Sequence, residues 1–535
     1  MLSIIITLLI WNNISALEWW NGWSVHDNND RFQRDPLPIT PTTTKTEFKQ
    51  LWYTVLDGPI EMSPTIYQQY IYIASWNGTF YCLQADTGKI LWQKNLSTFI
   101  NNGRGYISRT SPIVYNDMII MGLSDAMAQI HKPGNGSYAI AFDRFTGELR
   151  WRNRVSSHSL SKLTSSPQLA NNILFVGISS VEESMADDPT YPCCVFQGSV
   201  VAVNATTGMF LWETKMMPDN NGTRNGYAGG TVWGSQFPVD YKRNQIYVAT
   251  ANYYKLPPLI QQCVNDTANL TLYSDPCDQP DAYGQSIVAL DMTTGLVRWS
   301  RNFGPINAYV DGCTQPHPNC PPYPGPDSDF GQAPIFKLNL TYKFGGENRD
   351  QVFAAQKSGI AFGLDAETGK TIWVNQVAPG GNGGGMKFGS AADDQYLYVG
   401  NMNAGSLNYT LPNGTITTKA SWSAVDLVTG DIKWTTVDPT TGINKTSANL
   451  ALTVWDQLVL VQGGSYSGET RSPIKGCLYG LNKTNGEVLY EWCIENTPLG
   501  SGASVANNTI YVGIGYARLR PGIDGIVALQ LPSTP

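Results

Sequence analysis

AFDRFTGELRW, residues 141–151, is one of seven near-copies of a single phrase. The others are CLQADTGKILW (82–92), AVNATTGMFLW (202–212), ALDMTTGLVRW (289–299), GLDAETGKTIW (363–373), AVDLVTGDIKW (424–434) and GLNKTNGEVLY (480–490), where Tyr490 takes the Trp place. Each copy reads as strand, tight turn, strand. Thr-Gly supplies the turn, with Gly taking the positive φ that the hairpin needs, and the Asp or Asn caps it through its side chain. Upstream of most copies lies another strand, as in DMIIMGL (117–123), NILFVGI (172–178), NQIYVAT (244–250) and QYLYVGN (395–401). A fourth precedes that one, as in SPIV (111–114) and SPQL (166–169). Four antiparallel strands repeated radially make a β-propeller. The C-terminal GIVALQL (525–531) matches the first strand of the phrase, and QLWYTVL (50–56), with Trp52, matches the missing last strand. The sequence therefore predicts an all-β, eight-bladed propeller in which one blade is closed jointly by the N- and C-terminal strands, leaving no exposed edge.

The composition fits that reading. Only 14% of the 535 residues are charged, 16 are Trp, and Gly and Pro are plentiful. A net charge of −7 argues against nucleic acid, whose phosphates need a basic surface. The apolar run LSIIITLLI (2–10), followed by Ile14-Ser15-Ala16, reads as a secretory signal peptide over 1–16, ahead of one propeller domain over 17–535 with no transmembrane helix. Thirteen N-x-S/T sequons follow it, which points to an N-glycosylated protein that is secreted or held in a lumen such as a vacuole. Nine cysteines suit such an oxidising compartment. Cys263/Cys277 and Cys313/Cys320 bracket local loops, Cys477 and Cys493 face each other across one hairpin, and Cys82 is left over in a strand. The longest intervals between phrase Trp residues fall at 253–284 and 304–328, and long loops on a rigid scaffold shape sites.

The D-x-x-T-G-x-x-x-W phrase resembles the tryptophan-docking repeat of the quinoprotein alcohol dehydrogenases, propellers that hold pyrroloquinoline quinone (PQQ) and Ca²⁺ on their axis. The resemblance covers essentially the whole mature chain, including the opening EWWNGWSVHDNNDRF (18–32). The segments SSVEES, CCVFQGSVVAV, YAGGTVWGS and DSDFGQAP are most similar to the eukaryotic polyvinyl-alcohol-dehydrogenase-like branch. The resemblance implies a role for residues that interrupt the repeat. Arg109 in YISRTSP would fork onto PQQ carboxylates, and Thr164 in LTSSP would hydrogen-bond the cofactor. Glu182 or Glu183, together with Asn252 in VATANYY, would supply oxygens to Ca²⁺. Trp233 in GGTVWGS would be the flat floor under the quinone. Asp329 in PDSDFGQAP, with Asp327 beside it, would be the general base and touch the metal. Lys357 in AAQKSGIAFGLD would sit at the reactive carbonyl. The adjacent Cys193-Cys194 stands one blade later than the family's vicinal disulfide. It can cover the cofactor, brace the loop, or pair elsewhere.

No C-x-x-C-H occurs, so no covalent haem is expected and an external electron acceptor must reoxidise the quinol. The Gly-rich PGGNGGGMKFGS (379–390) opens no helix and so is not a nucleotide loop; it is expected to bring backbone close to the channel. The functional expectation is a PQQ- and Ca²⁺-dependent dehydrogenase oxidising an alcohol by hydride transfer, the substrate secondary or polymeric. The alternative is a non-enzymatic glycosylated propeller that binds a protein or glycan partner.

Overall fold

The computed structural model describes residues 19–41, 44–100, 102–129, 132–267, 275–314, 316–341, 348–381, 384–440, 445–446, 448, 450–466, 473–516 and 523–532. The expected signal peptide lies outside them. The chain is a β-propeller whose blades are antiparallel sheets of consecutive strands. Blade 2 is typical: Ile113–Tyr115, Met118–Asp125, Ser137–Asp143 and Leu149–Ser156 pair in chain order. The Asp143 carboxylate caps the turn as its sequence promised, accepting from the backbone N–H groups of Phe145 and Thr146 at 2.9 Å each.

The expectation of eight blades needs correction. Seven blades, rather than eight, are made of consecutive strands, each with its own repeat hairpin. The remaining sheet is a composite in which Lys49–Val55 pairs antiparallel with Gly525–Gln530, followed by Thr509–Ile514 and Ser504–Ala506. It lacks the repeat hairpin, so Tyr490 finds no turn to dock on. It packs instead against Phe48, with ring centroids 5.4 Å apart.

The repeat Trp holds neighbouring sheets together. Trp151 donates its indole N–H to Ala205 O (3.0 Å), Trp212 to Met292 O (3.1 Å), Trp299 to Ala366 O (3.0 Å), Trp373 to Leu427 O (2.9 Å) and Trp434 to Lys483 O (3.0 Å). Trp52 of the composite sheet reaches Ala85 O of the first blade in the same way, at 3.1 Å. Every acceptor lies in the next sheet's turn, and the turn Gly lies on the indole face. Trp92 is the exception: its N–H has no partner, and Tyr72 Oη donates to Arg144 O, the carbonyl at the matching turn position.

A second element ties the ring from inside. Residues 20–33 run past every sheet. Asn21 bonds Val114 in both directions, Ser24 N meets Gln236, and the Asp27 carboxylate accepts from Gln168. Phe336 N, Ala392 N and Val454 N donate to the carbonyls of Asn28, Asp30 and Arg31, and Gln33 reaches Val505 O. Trp20 pairs with Ile66 of the first blade. Arg31 is fully buried under Trp20 and Trp23, each 5.0 Å from its guanidinium, and donates to Leu452 O and Ala503 O. Burial alone would push the Asp30 carboxyl up. Lys337 (3.0 Å), His26 and Arg34 overcome that and hold it far below the usual carboxylate range.

Cys263–Cys277, Cys313–Cys320 and Cys477–Cys493 are disulfides, and Cys193 is bonded to Cys194. Cys82 is a buried free thiol, pushed up to about 12 by burial. Asn204 and Asn482 belong to sequons but act here as turn caps, accepting from Thr206 and Thr484 N–H groups. Among the described residues no helix is long and apolar enough to cross a membrane.

The docking geometry makes a sharp prediction. A methyl added at Gly208 (φ +72°) would lie 2.4 Å from the Trp151 ring, whereas one at Gly222 (φ +68°) would meet nothing within 4 Å. Backbone strain is common to both, so Gly222→Ala is expected to cost about 1 kcal/mol and Gly208→Ala about 3 kcal/mol in denaturant unfolding. Equal costs would show that the Trp contact does not hold the blades.

Candidate active site

In an antiparallel hairpin the start of the first strand and the end of the second lie at the same sheet edge. The expected site residues occupy those two kinds of position. Arg109, Thr164, Trp233 and Asp329 precede the first strands of four successive blades, while Glu183, Asn252 and Lys357 follow second strands. The propeller therefore gathers them at one mouth, although they span some 250 residues of chain.

At its centre, oxygens of Glu183, Asp327 and Asp329 lie within 4.8 Å of one another. Lys357 Nζ sits against two of these carboxylates, 2.9 Å from Asp327 Oδ1 and 3.0 Å from Asp329 Oδ2. Its backbone N–H also donates to Asp329 O at 3.0 Å. Asp329 Oδ1 accepts from Asn252 N (2.6 Å), and Oδ2 accepts from the Trp233 indole N–H (3.2 Å). Trp233, Asp329 and Lys357 thus form one hydrogen-bonded unit, with the ammonium 5.2 Å from the Trp233 ring.

Burial dominates the protonation of this unit. It pushes the Glu183 carboxyl well above the usual range, and the Asp329 and Asp327 charges push it further. Asp329 is raised by burial and by Asp327, against the pull of Lys357. Burial would strip the Lys357 proton, but Asp329, Asp327 and Glu183 hold its value above that of an ordinary lysine, so it stays charged. One ammonium neutralises one of three crowded carboxylates. Oxygen-rich and undercompensated, this donor set fits a hard cation.

The structure separates Glu182 from Glu183. The Glu182 carboxylate turns away from the cluster and is fully buried, accepting from Val195 N (2.9 Å), Phe196 N (2.7 Å) and Tyr191 Oη (2.8 Å). It fixes the loop that carries Cys193–Cys194, because that loop's backbone donors have no strand partner to satisfy them. Glu183 faces the carboxylates, held by Ser184, whose hydroxyl bonds Asp311 at 2.7 Å. Asn252 lies among the same carboxylates. It presents its amide NH₂ to Asp327 (3.1 Å) and Glu183 (3.4 Å), while its oxygen accepts from Gln285 Nε2 (2.7 Å) and Ser328 N (3.3 Å). Crowded carboxylates attract every nearby donor.

Beside the cluster lies a narrow recess, partly open to solvent, whose lining includes Arg109, Thr164, Trp233, Phe388, Glu61 and Trp23. Arg109 Nε pairs with Glu61 at 3.2 Å, and its guanidinium lies 5.2 Å from the Phe388 ring. Thr164 donates to Trp233 O at 2.8 Å, so it positions the Trp from behind. Phe388 meets Trp233 edge-on, at 5.8 Å and 76°. Cys193–Cys194 is not part of this lining; it packs with Ala228, Tyr254 and Val310. The glycine stretch makes the close approach expected of it. A methyl at Gly385 (φ +66°) would fall 1.8 Å from Lys357 O. Glu61 and Phe388 escaped the sequence reading, having no repeat register or motif of their own. The 304–328 loop proves to be a brace: Asn319 Nδ2 donates to the carbonyls of Ala186, Asp188 and Tyr191, pinning the Glu183 loop.

The carboxylates of two adjacent glutamates thus have different surroundings. Glu182→Gln is expected to cost about 3 kcal/mol of stability by weakening three bonds to a buried charge. Glu183→Gln should leave the fold intact but weaken Ca²⁺ binding about tenfold or more, read by calorimetry. Since Glu183 is raised above its unfolded value, its contribution to cation-free stability is lost as pH climbs through and beyond the ordinary carboxylate range. A cation reverses that loss, so Ca²⁺ should raise the melting temperature more at about pH 8 than at about pH 5. The reverse trend would contradict the assignment.

Residues 42–304 match the family described as glucose/ethanol/alcohol dehydrogenase, beta-propeller domain (PQQ), and residues 283–510 match that of the outer membrane protein assembly factor BamB. The chain is 30% identical over 435 residues to the polyvinylalcohol dehydrogenase of Sphingopyxis sp. (strain 113P3), covering 79% of itself and 59% of that protein. It is 26% identical to the polyvinylalcohol dehydrogenase of Pseudomonas sp., over 94% of itself and 74% of that protein. The crystal structure of quinohemoprotein alcohol dehydrogenase from Comamonas testosteroni shares the fold, with a TM-score of 0.65 at 16% identity over 98% of this chain and 83% of that one. A repeat propeller with these sequence matches is similar to the PQQ-dependent alcohol dehydrogenase family over most of its length.

Proposed function

We propose that the protein is a dehydrogenase that oxidises an alcohol with PQQ and Ca²⁺ as its cofactors. One observation carries this reading: Trp233, Asp329 and Lys357 form a single hydrogen-bonded unit against a three-carboxylate cluster, beside a recess lined by Arg109. Glu183, Asp327 and Asp329 would hold the cation. Arg109, which brings positive charge to the recess, would hold carboxylates of the quinone, and Trp233, set by Thr164 and Phe388, would carry its ring. PQQ, when bound, supplies an electron-poor quinone that accepts a hydride.

The remaining steps belong to this chain's own residues. Asp329 takes the hydroxyl proton of the alcohol; burial and Asp327 raise its affinity for that proton, which suits a base. Lys357 stays protonated beside it and offsets negative charge as it develops. The hydride leaves the carbinol carbon as the carbon–oxygen bond becomes a carbonyl. The two curated relatives named polyvinylalcohol dehydrogenase favour a secondary, polymeric alcohol as substrate. An external acceptor takes the electrons. We also propose export and N-glycosylation. Asn77, Asn95, Asn221, Asn413 and Asn507 carry sequons and are exposed, as glycan attachment requires.

The test is calorimetric PQQ titration in the presence of Ca²⁺, paired with dye-linked oxidation of a panel of secondary alcohols. Binding and turnover are expected, with Asp329→Asn lowering kcat about a hundredfold and Trp233→Ala weakening PQQ at least about tenfold. Absence of PQQ binding in the wild type would overturn the proposal.

A further inference from the structure

Most polar groups around the carboxylate cluster are engaged with one another, but Tyr309 stands apart. Tyr309 is 4% exposed, yet its hydroxyl has no hydrogen-bond partner among the described residues. A buried hydroxyl left in that condition is destabilising, and its persistence calls for an explanation such as a bound water, ion or ligand. The position of this one is imposed from both sides. Tyr309 N donates to Tyr253 O at 2.8 Å, directly after Asn252, and Ala308 O accepts from Gly325 N at 3.1 Å, two residues before Asp327. Asp327, Asp311, Glu183 and Lys357 act electrostatically on the buried phenol. The hydroxyl is thus within electrostatic reach of the carboxylate cluster but beyond hydrogen-bond distance of any described group.

We infer that Tyr309 is a substrate-contacting residue whose hydroxyl donates a hydrogen bond to the oxygen of the alcohol at the carboxylate cluster. This rests on the dehydrogenase reading above. The alcohol proton passes to Asp329, the hydride to the quinone, and Tyr309 keeps its own proton. Its contribution is to fix the oxygen and to bear part of the negative charge as the O–H bond breaks. The loop 304–328 then has a double function, bracing the Glu183 segment and delivering this hydroxyl.

The experiment compares wild type with Tyr309→Phe, which removes one oxygen atom and no existing bond. In the cofactor-free protein, the melting temperature of Tyr309→Phe should equal or exceed that of the wild type; a lower one would show a structural hydrogen bond and overturn the proposal. In protein reconstituted with PQQ and Ca²⁺, the probe is tert-butanol, an alcohol with no hydride to give. Its inhibition constant should rise about tenfold in the variant, with a matching loss in kcat/KM for a secondary alcohol and unchanged PQQ affinity. Unchanged inhibition and turnover, the result if the hydroxyl meets only water, would overturn the Tyr309 assignment alone. A wild type that neither binds PQQ nor turns over would overturn the dehydrogenase reading and this assignment with it.

Discussion

The whole molecule depends on an indole lying across a turn glycine. Each repeat Trp sits on the outer strand of its own sheet, and the turn it contacts belongs to the next. The contact is local in form but long-range in effect, because it sets the angle and height at which successive sheets meet. A hydrogen bond from the indole to a turn carbonyl adds direction to what apolar burial alone would leave free to slide. Once those angles are set, the segments entering first strands and leaving second strands must converge on one face. The central strap of residues 20–33 completes the arrangement from inside, trading backbone bonds with sheet after sheet and burying the Arg31 and Asp30 charges against partners on distant blades.

The site uses this rigidity to sustain an otherwise unfavourable arrangement. Three carboxylates in mutual contact and out of water repel one another, and a single lysine cannot balance them. A flexible loop would splay them apart. Here Glu183 is braced by Ser184 and the neighbouring Glu182 loop, Asp329 by the backbone of Asn252, and Lys357 by a backbone bond to Asp329 O. The charge that Lys357 leaves uncompensated is what a cation held there would neutralise, and without one burial and Asp327 raise the Asp329 carboxyl above that of a surface aspartate.

How far the sequence could be read follows from which interactions leave a pattern. The repeat hairpins were legible because each turn needs Gly and an Asx cap at fixed spacing; Arg109, Trp233, Asn252, Asp329 and Lys357 were singled out by the family resemblance, and a propeller brings such positions to one face. The number of blades was overread: the terminal strands do pair, but no hairpin follows them, and only seven blades are built from consecutive repeat strands. Glu182 and Glu183 could not be told apart, since their difference lies in which way a short helical turn faces after the strand ends. The strap was invisible because a segment bonding a different sheet every two or three residues has no period. The amide orientation of Asn252 and the orphaned hydroxyl of Tyr309 depend on the electrostatics of the assembled cluster, which no single stretch of sequence contains.

The central claim is that residues interrupting the repeat form one cation and quinone site. Anomalous diffraction from crystals grown with Ca²⁺ and PQQ tests it most directly. The account predicts a Ca²⁺ peak about 2.3–2.6 Å from oxygens of Glu183, Asp327 and Asp329, with planar density stacked on Trp233. A peak at Glu182, or carboxylates still bound only to Lys357 and Asn252 with no peak between them, would contradict it.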